Sequence, residues 1–145
     1  MGFDRKATTI WEGALKTGSG NTTFDSSGAA GPLAMAWDAR AGEAEGSSPE
    51  ELIAAAHATC YAMSLSGALS KADTPPERLE VSAVVTFSTD GGAHIESSKL
   101  NVVGVVPGID EQTFLDAANA AKDNCPVSKA LAGNLEITLD ASFKS

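Results

Sequence analysis

Hydrophobic and polar positions fall into two periods along this chain. Residues 79–89 (LEVSAVVTFST) alternate, with Val81, Ala83, Val85 and Phe87 on one face, the period of a half-buried strand. Asp90-Gly91-Gly92 is a hairpin signal, and residues 93–106 read as the returning strand. Pro107-Gly108 ends that ribbon. Asp110 then caps a helix over 111–124 whose Phe114, Leu115, Ala117, Ala118 and Ala121 make an amphipathic face. Pro126 starts a short third helix through Leu131, and Leu135, Ile137, Leu139 and Ala141 alternate in a last strand over 135–143. Upstream, residues 6–17 are β-prone, Gly18 to Asn21 supplies a turn into a strand over 22–26, and residues 32–37 make a short apolar strand. Residues 39–48 (ARAGEAEGSS), containing Glu43 and Glu45, read as an exposed, solvated loop that carries Arg40 near its start.

Residues 47–70 (SSPEELIAAAHATCYAMSLSGALS) organise the rest. Ser48 is a good N-cap, Pro49 fits the first helical position, and Glu51 completes a capping box. From Leu52 to Leu69 nearly every face is apolar or small, the pattern of a helix enclosed by protein. His57, Thr59, Ser64 and Ser66 weaken it as a membrane span. Its alanines allow close approach of another element, so a core helix that also packs on a partner chain is expected. Pro75 and Pro76 keep the break after it from extending the helix. Strands arriving in hairpin pairs around one long helix predict an α+β fold, with antiparallel sheets packed around that helix. No internal repeat or linker divides residues 1–145, so a single domain is expected.

The composition narrows function. A formal net charge of −9 over 145 residues argues against nucleic acid as a partner, because no basic surface is available to displace counterions from phosphate. The first residues, 1–16, lack a continuous apolar h-region, so a cytoplasmic location and no membrane partner are expected. In that reducing compartment a pair of cysteines is chemical more often than a permanent staple.

Those cysteines are Cys60, mid-helix among small residues, and Cys125, in the sequence NCPVSK where one helix stops and the next begins. Both could be small buried hydrophobes. Against that, a cysteine just before a helix-starting proline lies where unpaired N–H groups favour a thiolate, and the two could meet in the fold. His57 precedes Cys60 by one helical turn. A Cys/His hydrolase is disfavoured because nothing supplies an evident oxyanion hole. Zinc held by Cys60, Cys125, His57 and His94 is disfavoured because the paired short spacings of zinc sites are missing. A satisfied, partly buried histidine is the simpler expectation, and Met35, Trp37 and Phe114 are core candidates before they are pocket walls.

SPEELIAAAHATC at 48–60, CPVSKAL at 125–131, WEG at 11–13 and VPGID at 106–110, in that order and spacing, resemble the osmotically inducible protein C and organic hydroperoxide resistance (OsmC/Ohr) group of thiol peroxidases. The resemblance covers essentially the whole chain. His57 is similar to the OsmC branch, since the Ohr branch usually carries an aromatic residue there. The resemblance implies a compact, intertwined α+β homodimer that reduces organic hydroperoxides, and hydrogen peroxide more weakly, without a cofactor or metal. It implies that Cys60 is the peroxidatic cysteine, Cys125 the resolving one, and Glu50 and Arg40 the acid and the guanidinium beside them, with an external dithiol such as a lipoyl group as reductant. Cys60 must ionise to attack an O–O bond, yet apolar surroundings raise a thiol's pKa. Arg40 supplies permanent charge and Glu50 orients it through a bidentate pair. At about 1.5 Å rise per residue, Glu50 and Cys60 lie about 15 Å apart along one helix. Either the helix bends, or two copies cross so that Glu50 and Arg40 of one approach Cys60 of the other; the alanine-rich helix and the dimer that the resemblance implies favour the second. A redox-sensing or small apolar ligand-binding module on the same fold is the alternative.

Overall fold

The computed structural model describes residues 1–43 and 45–145, so the expected loop over 39–48 falls at residue 44 outside the described residues. The chain forms two compact units, Met1–Leu52 and Ile53–Ser145.

In the first unit, β1 (Thr8–Glu12), β2 (Ser19–Thr23) and β3 (Leu33–Met35) make an antiparallel sheet in the order β1-β2-β3. β2 starts earlier than its turn-rich sequence suggests. Gly20 and Asn21 pair with Trp11 and Ile10 of β1 on one side and with Met35 and Ala34 of β3 on the other. Hydrogen bonds from both neighbours outweigh the poor strand propensity of these residues. The segment expected to be wholly loop after residue 38 contains a short helix, α1 (Trp37–Ala41). Beyond it Gly46, at φ 122, lets the chain turn close over the Ala34 carbonyl, a backbone conformation that side chains rarely tolerate. Ser47 then donates its N–H to the Ala34 oxygen at 2.9 Å.

The long helix α2 (Pro49–Lys71) begins in the first unit and continues through the second. Ser48 Oγ accepts from the Glu51 N–H at 3.1 Å, as a cap does, while the Glu51 carboxylate takes the Ser47 hydroxyl at 3.0 Å. Half of the expected capping box therefore forms, and the other half is exchanged for a neighbouring serine. By length and composition α2 is apolar enough to cross a membrane. Its burial is that of a core helix on one side. His57, Tyr61, Leu65 and Leu69 form a buried stripe, one residue per turn. The expectation of a helix enclosed all round holds within this chain only for that stripe; Met63, on another face, is 72% exposed.

The second unit holds the sheet β4-β5-β6, built from β4 (Arg78–Ser88), β5 (His94–Val105) and β6 (Glu136–Lys144), with α3 (Glu111–Asn124) and α4 (Pro126–Leu131) between the last two strands. β4 and β5 form the expected antiparallel hairpin, with Gly92 closing the turn on the Thr89 carbonyl at 3.1 Å. β6 departs from the antiparallel expectation and pairs parallel to β5, Leu100 opposite Leu139. The two intervening helices form a crossover that returns the chain to the start of the sheet, the connection parallel strands require. Asp110 caps α3 by accepting from the Thr113 N–H at 2.8 Å. The core packs Tyr61, Leu65 and Leu69 of α2 against Leu100 and Val102 of β5 and Phe114, Ala118 and Ala121 of α3. Phe114 runs so close to β5 that a Cβ at Gly104 would overlap its ring.

Candidate active site

Cys60 lies half-buried on α2 and Cys125 fully buried between α3 and α4; both are free thiols. The sequence fixes the second position through proline. Cys125 donates its N–H to Ala121 O at 2.9 Å, closing the last turn of α3. Pro126 has no N–H with which to continue that helix and becomes the first residue of the next. The bend brings this junction onto α2, where Cys60 packs against the cluster that contains Cys125, and the Cys125 thiol and the Val127 backbone lie near enough to act on the Cys60 sulfur. Burial pushes the Cys60 thiol up, the Val127 N–H pulls it down, and neighbouring Cys125 raises it again, with a net upward shift. Thiols this near are poised to form a disulfide, but this sulfur gains nucleophilicity only with further help to ionise.

One turn before Cys60, the His57 ring is fully buried. Its Nδ1 shares a hydrogen bond of 2.7 Å with Ser98 Oγ on β5, and its Nε2 one of 2.8 Å with Ser128 Oγ on α4. Burial lowers its pKa, so the ring is held neutral. It is the satisfied histidine that was expected, more deeply placed. With both nitrogens engaged it has none to offer a metal or to serve Cys60 as a base. His94 lies apart from it in role, at the exposed start of β5, donating from Nδ1 to Gly92 O at 2.8 Å. Tyr61, beside Cys60 in sequence, donates to Ala118 O at 2.9 Å, and burial followed by the charge of nearby Cys125 pushes its hydroxyl up. Ser98 carries no distinguishing signal in the sequence, and Ser128 lies within the CPVSKAL motif without standing out in it. Ser128 could have been suspected only from its place one turn past Cys125.

In the first unit α1 carries Arg40 to Glu50, the second residue of α2. The guanidinium donates from Nε to both carboxylate oxygens at 3.1 and 3.2 Å and from Nη2 to Oε1 at 2.8 Å. Glu50 is 6% exposed, and a buried carboxylate needs such a partner. A cavity of about 420 Å³ opens beside the pair, walled by Trp11, Leu15, Met35, Trp37 and Leu52 with Arg40 at its edge. Of the residues expected first in the core, Phe114 is wholly core, Met35 is buried and lines the pocket as well, and Trp37 is only half-buried and lines the pocket. The four expected site residues form two pairs, Arg40 with Glu50 in the first unit and Cys60 with Cys125 in the second.

Two free thiols, Cys60 within α2 and Cys125 at the α3–α4 junction, sit together on an α+β scaffold of two three-stranded sheets and one long helix. The family described as OsmC-like protein matches residues 42–140. The chain is 38% identical over 146 residues to Peroxiredoxin OsmC of Escherichia coli, covering 100% of each. It is 34% identical over 97 residues to the Organic hydroperoxide resistance protein of Xanthomonas axonopodis pv. citri, covering 66% of each. Among solved structures it resembles the Organic Hydroperoxide Resistance Protein OhrB of Bacillus subtilis with a TM-score of 0.72 and 26% identity, over 97% of this chain and 98% of that one. The chain belongs to the OsmC-like family.

Proposed function

We propose that this protein is a thiol-dependent peroxidase that reduces organic hydroperoxides to alcohols and, more weakly, hydrogen peroxide to water. The observation that carries the reading is the proximity of the two free thiols, Cys60 being packed against the cluster that contains Cys125 and shifted by it. The names of the relatives support it. The Cys60 thiolate attacks the terminal oxygen of the hydroperoxide, the O–O bond breaks, and the alkoxide takes a proton and leaves as the alcohol. Cys60 is left as sulfenic acid. The Cys125 sulfur then attacks the Cys60 sulfur; the S–O bond breaks, and hydroxide leaves as water with the Cys125 proton. The peroxide has gained two electrons and the cysteine pair has lost them. An external dithiol, of lipoyl type for example, reduces the disulfide by exchange and becomes the disulfide itself. No cofactor or metal enters any step.

Arg40 supplies the missing positive charge, which favours the thiolate and binds the peroxide oxygens, and Glu50 aims the guanidinium. The apolar pocket beside Arg40 suits the organic part of the substrate. Residues 1–145 act as one OsmC-like domain, and two copies form a homodimer in which Arg40 and Glu50 of one serve Cys60 of the other. About 15 Å of helix between Glu50 and Cys60 supports the exchange, as does the exposed apolar side of α2. A reducing compartment such as the cytoplasm suits a pair that must be returned to thiols.

Steady-state consumption of cumene hydroperoxide in excess dihydrolipoamide tests the reading. Many turnovers per protein are expected, abolished by Cys60→Ser, with Cys125→Ser accumulating oxidised Cys60. Consumption that stops after one equivalent would instead mark a redox sensor, and no consumption a ligand-binding module.

A further inference from the structure

Three residues of the α4 segment approach α2, and they do so at two points one turn apart. Cys125 and Val127 lie near Cys60, and Ser128 meets His57. The far side of the same imidazole is fixed to Ser98 of β5. A flat ring with acceptor or donor nitrogens at opposite edges is a spacer of fixed length. Buried without exposure, it incurs a desolvation cost that an aliphatic side chain would not. Both hydroxyl bonds are needed to offset that cost, so the ring has one low-energy placement, and α4 is indexed to β5 through it. Rotation or withdrawal of the first turn of α4 must break the Ser128 bond.

We propose that His57 and Ser128 are positioning residues which, by holding the first turn of α4 on α2, set how fast Cys125 closes onto oxidised Cys60. This rests on the peroxidase reading above and adds the element that reading lacks, a reason why the resolving sulfur stays in reach. In the closing step the Cys125 sulfur forms the S–S bond, the S–O bond of the Cys60 sulfenic acid breaks, and water carries off the oxygen with the Cys125 proton. The imidazole exchanges no proton in it. Small displacements of reacting groups slow such steps by factors of about ten to a hundred.

Reduced protein mixed with one equivalent of cumene hydroperoxide in the presence of dimedone reads the competition between trapping of the sulfenic acid and disulfide closure. Ser128→Ala is expected to slow closure about tenfold or more and to raise the trapped fraction. His57→Asn keeps a polar group towards Ser98 but cannot reach Ser128, and is expected to do the same, which covers the case of one variant failing to fold. Ser98→Ala leaves a ring nitrogen equally unpartnered yet keeps the Ser128 contact, and is expected to slow closure less than either. Closure at the wild-type rate in Ser128→Ala, or equal slowing by Ser98→Ala, would overturn the proposal. The Cys60–Cys125 equilibrium against a glutathione buffer needs no peroxide and is expected to shift towards the dithiol in Ser128→Ala. If wild-type protein forms its disulfide in glutathione but not with peroxide, the peroxidase reading fails while positioning is still tested by that shift; an unchanged equilibrium overturns positioning alone.

Discussion

At the scale of single residues, the site is governed by how each polar or ionisable side chain is satisfied. Glu50 is buried and meets a guanidinium fork; His57 is buried and meets two hydroxyls; Cys60 is half-buried and lies near one backbone N–H and a second thiol. The His57 arrangement has a consequence for stability. Burial lowers its pKa below the ordinary 6.5, so the unfolded chain takes up a proton that the folded chain resists. Between the two pKa values the unfolded state binds more protons and stability rises with pH. The contribution is therefore complete above pH 6.5 and lost as pH falls below it. The melting temperature is expected to fall from pH 7 towards pH 5, ahead of the carboxylate titrations. In His57→Asn that slope is expected to flatten, and thermal melts of the two proteins across this range measure it. A parallel slope in the variant would assign the loss to other groups.

At the scale of elements, what the sequence makes legible is whatever is decided locally. The start of α2 follows from Ser48, Pro49 and Glu51, the start of α3 from Asp110, and the restart at α4 from Pro126, because caps and prolines act within a turn of themselves. The β4–β5 hairpin follows from alternation and Asp90-Gly91-Gly92. The elements that escaped are those decided at a distance. β2 runs through Gly20 and Asn21 because strands on both sides pair with it. α1 spans only Trp37–Ala41, too short to show a period. The parallel arrival of β6 depends on where two helices carry the chain, not on any residue within the strand. The same division applies to the site. Cys60, Cys125, Arg40 and Glu50 stand out in the sequence by type, place and family resemblance. Ser98 and Ser128 become significant only through a ring that neither is near in sequence.

At the scale of the whole molecule, α2 is apolar around most of its circumference yet buries one stripe, and Met63 stands 72% exposed. A surface of that kind calls for a partner, and the proposed one is a second copy that exchanges Arg40 and Glu50 for Cys60. Subunit mixing tests this. Arg40→Ala and Cys60→Ser proteins, each nearly inactive alone, are expected when unfolded together and refolded to give mixed dimers with about half of the wild-type activity per dimer. In a mixed dimer one site then has both its Arg40 and its Cys60. No recovery, with mixed dimers confirmed by mass spectrometry, would place Arg40 at the Cys60 of its own chain.

The central claim is that the two sulfurs act as one redox unit, the first struck by peroxide and the second closing on it. Peptide mapping by mass spectrometry after one equivalent of cumene hydroperoxide tests this most directly. The expected result is a single Cys60–Cys125 disulfide and the loss of two hydrogens from the intact chain. Free thiols at both positions, or Cys60 carried on to sulfinic acid while Cys125 stays reduced, would contradict it.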